Sequence, residues 1–135
     1  MREGRTVGSI YGPFVSGDSI DCFDDLIVAG SNRNKEVVQM FSLSKRALIN
    51  NIDWESSSRK DVEAGYVYAT RFSKPDPHFI IAGGGGKNEI KVFENNVDGS
   101  ASMRIITHVS EIESPVLSLD TSKTGDNFAF GCQNG

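Results

Sequence analysis

The stretch Phe79-Ile80-Ile81-Ala82-Gly83-Gly84-Gly85-Gly86-Lys87-Asn88-Glu89-Ile90-Lys91-Val92-Phe93 decides how the chain is read. A short apolar run meets a glycine-rich turn, and a second short run ends in an aromatic. Two runs of strand length around a turn predict a β-hairpin. The same hairpin recurs. Gly30, Gly83 and Gly131 each close a short apolar strand, as Val28-Ala29-Gly30, Ile81-Ala82-Gly83 and Ala129-Phe130-Gly131. The glycines stand 53 and 48 residues apart. Phe41 and Phe93 stand 52 apart, within Val38-Gln39-Met40-Phe41 and Ile90-Lys91-Val92-Phe93. Apolar–polar–apolar–aromatic follows a polar or glycine turn both times.

Working outward, the remaining runs are also short and rich in β-branched and aromatic residues. Strands are predicted over 6–11, 19–23, 26–29, 37–43, 47–53, 66–72, 79–82, 89–93, 103–109, 116–120 and 127–130. Turns fall between them every ten residues or so, and no stretch has helical periodicity. Gly12-Pro13, Asp24-Asp25, Lys74-Pro75-Asp76-Pro77, Asn95–Ser100 and Lys123-Thr124-Gly125-Asp126 are the turn signals. Glu55-Ser56-Ser57-Ser58-Arg59-Lys60-Asp61 is the most polar segment and reads as an exposed loop. The fold class is all-β. Eleven strands in four-stranded units of ~50 residues predict a propeller-like repeat, since propeller blades run ~40–50 residues.

At this point the residues resemble a known family, the WD-repeat β-propellers. Val116-Leu117-Ser118-Leu119-Asp120 through Gly125 to Phe128-Ala129-Phe130-Gly131 follows that family's strand–turn–strand line. Ile90-Lys91-Val92-Phe93-Glu94 looks like its third strand, with Phe-Glu where Trp-Asp is usual; Phe41-Ser42 stands at the same place earlier. No Gly-His precedes a first strand, and the turn aspartate of the family's hydrogen-bond tetrad is missing. The resemblance therefore implies divergent blades without that tetrad. It implies a partial propeller over 1–135: a strand of a preceding blade at 6–14, blades at 15–54 and 62–110, and the first half of a further blade at 114–135. A closed ring needs ~4–8 blades. The preferred account is a piece of a larger propeller; the alternative is completion by another copy or chain, because open sheet edges invite pairing.

Composition bounds the function. The chain has 135 residues, 38% apolar and 24% charged, with a net charge of −4. That balance argues against a broad nucleic-acid-binding face, which needs clustered Lys and Arg. No apolar run approaches the ~18 residues of a membrane helix. Two cysteines, Cys22 and Cys132, form no disulfide framework and read as small buried thiols in a reducing compartment. These features give a cytoplasmic protein as the expectation.

No motif carries catalysis. Gly83–Lys87 resembles a phosphate loop only superficially: G-x-x-x-x-G-K-[ST] needs a glycine at position 81 and Ser/Thr at 88, where Ile81 and Asn88 stand. A hairpin turn using glycine's positive φ is the expectation. Asp18, Asp21, Asp24 and Asp25 lack the glycine and terminal glutamate of a calcium loop and read as solvated. His78 and His108 have no metal-ligand spacing. Ser56–Ser58 has no elbow motif. Trp54, Tyr66 and Tyr68 flank the polar loop and suit either packing or a partner hot spot. No cofactor, metal or catalytic residue is assigned.

The resemblance implies a non-enzymatic protein-interaction scaffold. In that family, loops entering the first strand and joining the second to the third share one face and often bind partners. Here the second-to-third loops carry Arg33, Lys35, Lys87 and Asn88, the expected partner-binding residues. The entering loops carry Glu55, Asp61, Glu63, Glu111 and Glu113. Mixed charge favours specific protein contacts over steering of a polyanion. Two alternatives stand beside this. One is a propeller enzyme or small-ligand binder using Asp21 and Asp120 at the channel. The other is a β-sandwich module, which Greek-key pairing would reveal.

Overall fold

The computed structural model describes residues 4, 6, 8–33, 35–52, 54, 66–95 and 103–135. Among them there is no helix. Ten strands form: β1 (Ile20–Phe23), β2 (Leu26–Gly30), β3 (Val38–Ser42), β4 (Ala47–Ile52), β5 (Tyr66–Phe72), β6 (Phe79–Gly85), β7 (Ile90–Glu94), β8 (Arg104–Val109), β9 (Val116–Thr121) and β10 (Phe128–Cys132). They make two four-stranded meanders, β1-β2-β3-β4 and β5-β6-β7-β8, and a two-stranded sheet of β9 and β10. Every pairing within them joins sequential neighbours antiparallel. A sandwich of facing Greek-key sheets is thereby excluded.

The sheets stack in chain order through β1, β2 and β5, then through β5, β6 and β9. Between the first two, Val28, Val38, Met40 and Ile52 meet Val67, Phe72, Ile80, Ala82 and Phe93, with Trp54 in the same cluster. Between the second and third, Ala69, Ile81 and Ile90 meet Val116 and Leu119. β6 is buried from Ile80 to Gly85 because it has a sheet on either side, hence its continuous apolar run. Phe72 and Phe93 are almost fully buried, each contributing about 1.5–3 kcal/mol from burial alone.

Two expectations need correction. Residues 8–16 form no strand, because no strand of a neighbouring sheet lies beside them among the described residues. The segment instead docks on the first sheet: Phe14 N donates to Ser31 Oγ at 3.1 Å, and Asn32 N donates to Phe14 O at 2.9 Å. The glycine run is also mostly strand, not turn. Gly83, Gly84 and Gly85 extend β6, and the turn begins at Gly86, which with Asn88 takes positive φ, 82° and 49°. Gly84 lies where the β5–β6 register shifts between Val67 and Ala69, so close to the Tyr66 carbonyl that no Cβ fits. Close backbone approach, rather than left-handed geometry, demands glycine there.

The polar segment 55–61 and residues 96–100 lie outside the described residues. Asn95 is described: it caps β7 by donating from its backbone N to His78 O at 2.7 Å.

Candidate partner-binding surface

Sequential antiparallel pairing places the β2–β3 turn, the β6–β7 turn and the entries to β5 and β9 at one end of the stack. This end is the loop face. It holds all four expected residues. Arg33 lies in the β2–β3 turn with its guanidinium carbon 4.3 Å from the centre of the Phe14 ring. Phe14 remains 65% exposed, so the pair presents a flat cationic–aromatic surface to solvent. The Arg33 Nε atom is buried with no hydrogen-bond partner among the described residues. Lys35 is exposed in the same turn, and Lys87 in the β6–β7 turn, where Asn88 is half-buried.

Of the acidic residues, Glu111 and Glu113 sit exposed before β9. Glu55, Asp61 and Glu63 lie outside the described residues. Tyr66 and Tyr68 stack at the entry to β5, ring centres 6.5 Å apart, and Tyr66 is 38% exposed. Trp54 takes the other role open to it and packs in the core. Sequence reasoning did not reach Phe14, because it expected that segment inside a strand. Its nearness to Gly12-Pro13, a chain-turning pair, was the available signal.

Beneath the loop face a buried polar cluster ties the first two sheets. Trp54 Nε1 donates to Glu89 Oε1 at 2.7 Å. Lys91 Nζ lies 3.2 Å from the same carboxylate, donates to the Trp54 carbonyl and sits 4.9 Å above the indole ring.

The inner strands β1, β5 and β9 carry the charged residues weighed as a channel site. Asp21 Oδ2 accepts from Phe72 N at 2.9 Å, so this carboxylate holds one sheet against the next. Arg71 pairs with Asp18 and donates to the Asp18 and Thr70 carbonyls at 3.1 and 2.7 Å. Burial works to lower the Arg71 pKa, but the hydrogen bond and charge of Asp18, with Asp21 and Asp120, outweigh it and hold the guanidinium charged. Asp120 is exposed, 3.8 Å from Lys74. A cavity of about 390 Å³ opens among Asp18, Arg71, Ser118 and Asp120. Asp25 is engaged elsewhere: it accepts from Ser42 Oγ at 2.6 Å and Ser44 N at 2.7 Å, pinning the β1–β2 turn to the β3–β4 turn. The four aspartates 18, 21, 24 and 25 do not converge, and no group of three His, Cys, Asp or Glu able to hold a metal occurs among the described residues.

Cys22 is a correction. It lies on β1 but is exposed, since the alternation that half-buries Asp21 and Phe23 turns it outward. Cys132 is half-buried, and both are free thiols. His78 and His108 are exposed.

Successive four-stranded antiparallel sheets stacked through their inner strands define a β-propeller arrangement, here two full blades and the inner half of a third. The particular kind is WD-repeat-like. A chain of the crystal structure of the mitotic checkpoint complex superposes with a TM-score of 0.68 at 12% identity, over 86% of this chain and 34% of that one. The C-terminal WD40 domain of Sif2 gives 0.60 at 14% identity, over 82% and 29%. The chain thus spans about a third of each of these two matched chains. No protein-family model and no curated sequence matches it.

Proposed function

We propose that the chain is a non-enzymatic protein–protein interaction scaffold, acting as part of a larger propeller or a multiprotein assembly. The observation that carries this is the Arg33–Phe14 pair: an exposed ring under a guanidinium, on the loop face shared by Lys35, Lys87, Asn88, Glu111 and Tyr66. Arg and aromatic residues dominate binding energy at protein interfaces, and mixed charge around them gives partner selectivity. The similarity to a chain from a multiprotein complex supports the same class of role. The acids beside the inner strands favour it too, since Asp21 accepts the Phe72 amide and Asp18 pairs with Arg71, each joining one sheet to the next. A cytoplasmic location and an absence of nucleic-acid ligands complete the proposal.

The test is comparative crosslinking in cells with the intact chain, an Arg33→Ala/Lys87→Ala variant, and a His108→Ala control on the outer strand. The scaffold reading expects a defined set of crosslinked proteins that the loop variant loses and the control keeps. Equal crosslinking by all three, or turnover of a small substrate that fails on Arg71→Met, would overturn it.

A further inference from the structure

The loop face carries its charges in the order of the blades. At the first-blade end Arg33 and Lys35 stand in the β2–β3 turn. The acid of that turn, Glu36, is engaged elsewhere: its carboxylate accepts from Asn51 Nδ2 at 3.3 Å. Among the described residues no carboxylate meets Arg33. The turn itself is pinned. Ser31 N donates to Val37 O at 2.7 Å, and Phe14, held by Ser31 and Asn32, braces the guanidinium from one side. A braced guanidinium without an acid is a ready receptor for a carboxylate. At the third-blade end Glu111 and Glu113 stand exposed before β9. Among the described residues neither meets a cation, and Glu113 accepts only from the Asn134 side-chain amide, at 3.5 Å.

Between the two ends lies the Tyr66–Tyr68 pair. The Val67 amide donates to the Ser31 carbonyl at 3.4 Å, which ties the pair to the Arg33 turn. On the other side Gly85 lies against both Tyr68 and Pro115. A Cβ there would stand 3.0 Å from Tyr68 Cε2 and 3.6 Å from Pro115 Cβ. The third glycine of the run thus seats the Tyr68 ring beside the entry to β9. Tyr66 stacks on that ring and remains 38% exposed. Its blade has a sheet on either side, so neither end of the sequence creates this exposure. An exposed tyrosine backed by a second ring suits a prolyl ring, because proline-rich segments dock on aromatic surfaces already extended.

We propose that the loop face takes an extended segment of a partner protein with an acidic residue at one end, proline in the middle and a basic residue at the other. The acid meets Arg33, the proline covers Tyr66, and the base meets Glu111 and Glu113. The tyrosine contact supplies apolar burial, and the opposed end charges supply selectivity, since a segment of one sign would meet like charge at one end. This rests on the scaffold reading and names the class of segment that the scaffold holds.

The test is calorimetric titration of the intact chain with capped peptides at about 0.15 M salt. The probe Glu-Glu-Ser-Pro-Pro-Ser-Lys-Lys is compared with forms whose two ends are both Glu or both Lys, and with a form carrying Gly for Pro. The mixed probe is expected to bind roughly tenfold more tightly than either single-sign form. Tyr66→Ala, or Gly in place of Pro, is expected to weaken it by a similar factor, about tenfold. Arg33→Glu is expected to turn the preference toward the form with Lys ends, and Glu113→Lys toward the form with Glu ends; loss of folding would give no such swap. The proposal falls if the forms bind alike, if neither reversal moves the preference, or if the Gly form binds as well as the proline form. A swap with the purified chain supports it whatever crosslinking in cells returns. Crosslinked proteins lost by the Arg33→Ala/Lys87→Ala variant, with no preference among the peptides, would overturn it and leave the scaffold reading standing.

Discussion

Trp54 and Glu89 are joined by a 2.7 Å hydrogen bond that runs from the end of the first sheet into the second, with Lys91 closing the cluster from below. All three groups lie in the interior: Trp54 is 6% exposed, and the Glu89 and Lys91 side chains 11% and 8%. A buried acid here is tolerable because an indole N–H and an ammonium both meet it.

Removing one member should cost more than removing the set. Trp54→Phe keeps the ring but leaves the carboxylate one donor short, a loss of about 1–3 kcal/mol. Glu89→Leu removes the carboxylate that compensates the buried Lys91 ammonium and is expected to cost about 3–5 kcal/mol. In Glu89→Leu/Lys91→Met the loss should be smaller than in Glu89→Leu alone. Urea unfolding of the parent and the three variants checks this; a loss in the double variant as large as or larger than that of Glu89→Leu alone would contradict the coupling.

The three repeat glycines should differ in tolerance to alanine. A Cβ on Gly30 would press into the Val67 side chain, and one on Gly83 would stand 2.9 Å from Val116 Cγ1. On Gly131 it would meet only the Ser118 hydroxyl, at 2.7 Å, which can rotate away. Gly30→Ala and Gly83→Ala are expected to lose about 1–3 kcal/mol by overpacking, with Gly131→Ala close to neutral. Val67→Ala should partly restore Gly30→Ala. Thermal melts of the series decide the ranking.

Asp25 makes stability depend on pH in a known direction. The Ser42 hydroxyl foremost, then the Ser44 amide, lower its pKa. A carboxyl depressed in the folded state contributes stability above its unfolded value, near ~3.9, and loses it as pH falls through the folded value. Asp25→Asn is therefore expected to be less stable than the parent at pH 7, with the gap narrowing below about pH 4. Urea midpoints at pH 7, 4 and 3 measure it.

Cys22 should react more slowly than its exposure suggests. Partial burial, then the Asp21 charge, raise its pKa above the ordinary thiol range, and the thiolate is the nucleophile. Labelling with a disulfide reagent is expected to be slow near pH 7.5 and to keep accelerating beyond about pH 9. A rate that levels off near neutrality would contradict the assignment.

Much of the fold was legible from local pattern. The strand at 66–72 forms as expected, because Val67, Ala69 and Phe72 are apolar between turn signals. The recurring glycines and phenylalanines marked the repeat because each blade solves the same packing problem. What pattern alone missed was set by distant neighbours. Residues 8–16 have strand-like composition but dock by way of Ser31 and Asn32. Cys22 is apolar in character yet faces outward.

The amino-acid order by itself determined short strands, sequential hairpins and a repeat near 50 residues, because alternation and turn chemistry act between residues close in the chain. It also determined that Arg33, Lys35, Lys87 and Asn88 fall in equivalent turns. Only the tertiary structure decided that Arg33 lies over Phe14, that Trp54 is buried on Glu89, and that Asp21 binds a backbone amide 51 residues away. Those contacts depend on how one blade leans against the next, and no local propensity encodes that geometry.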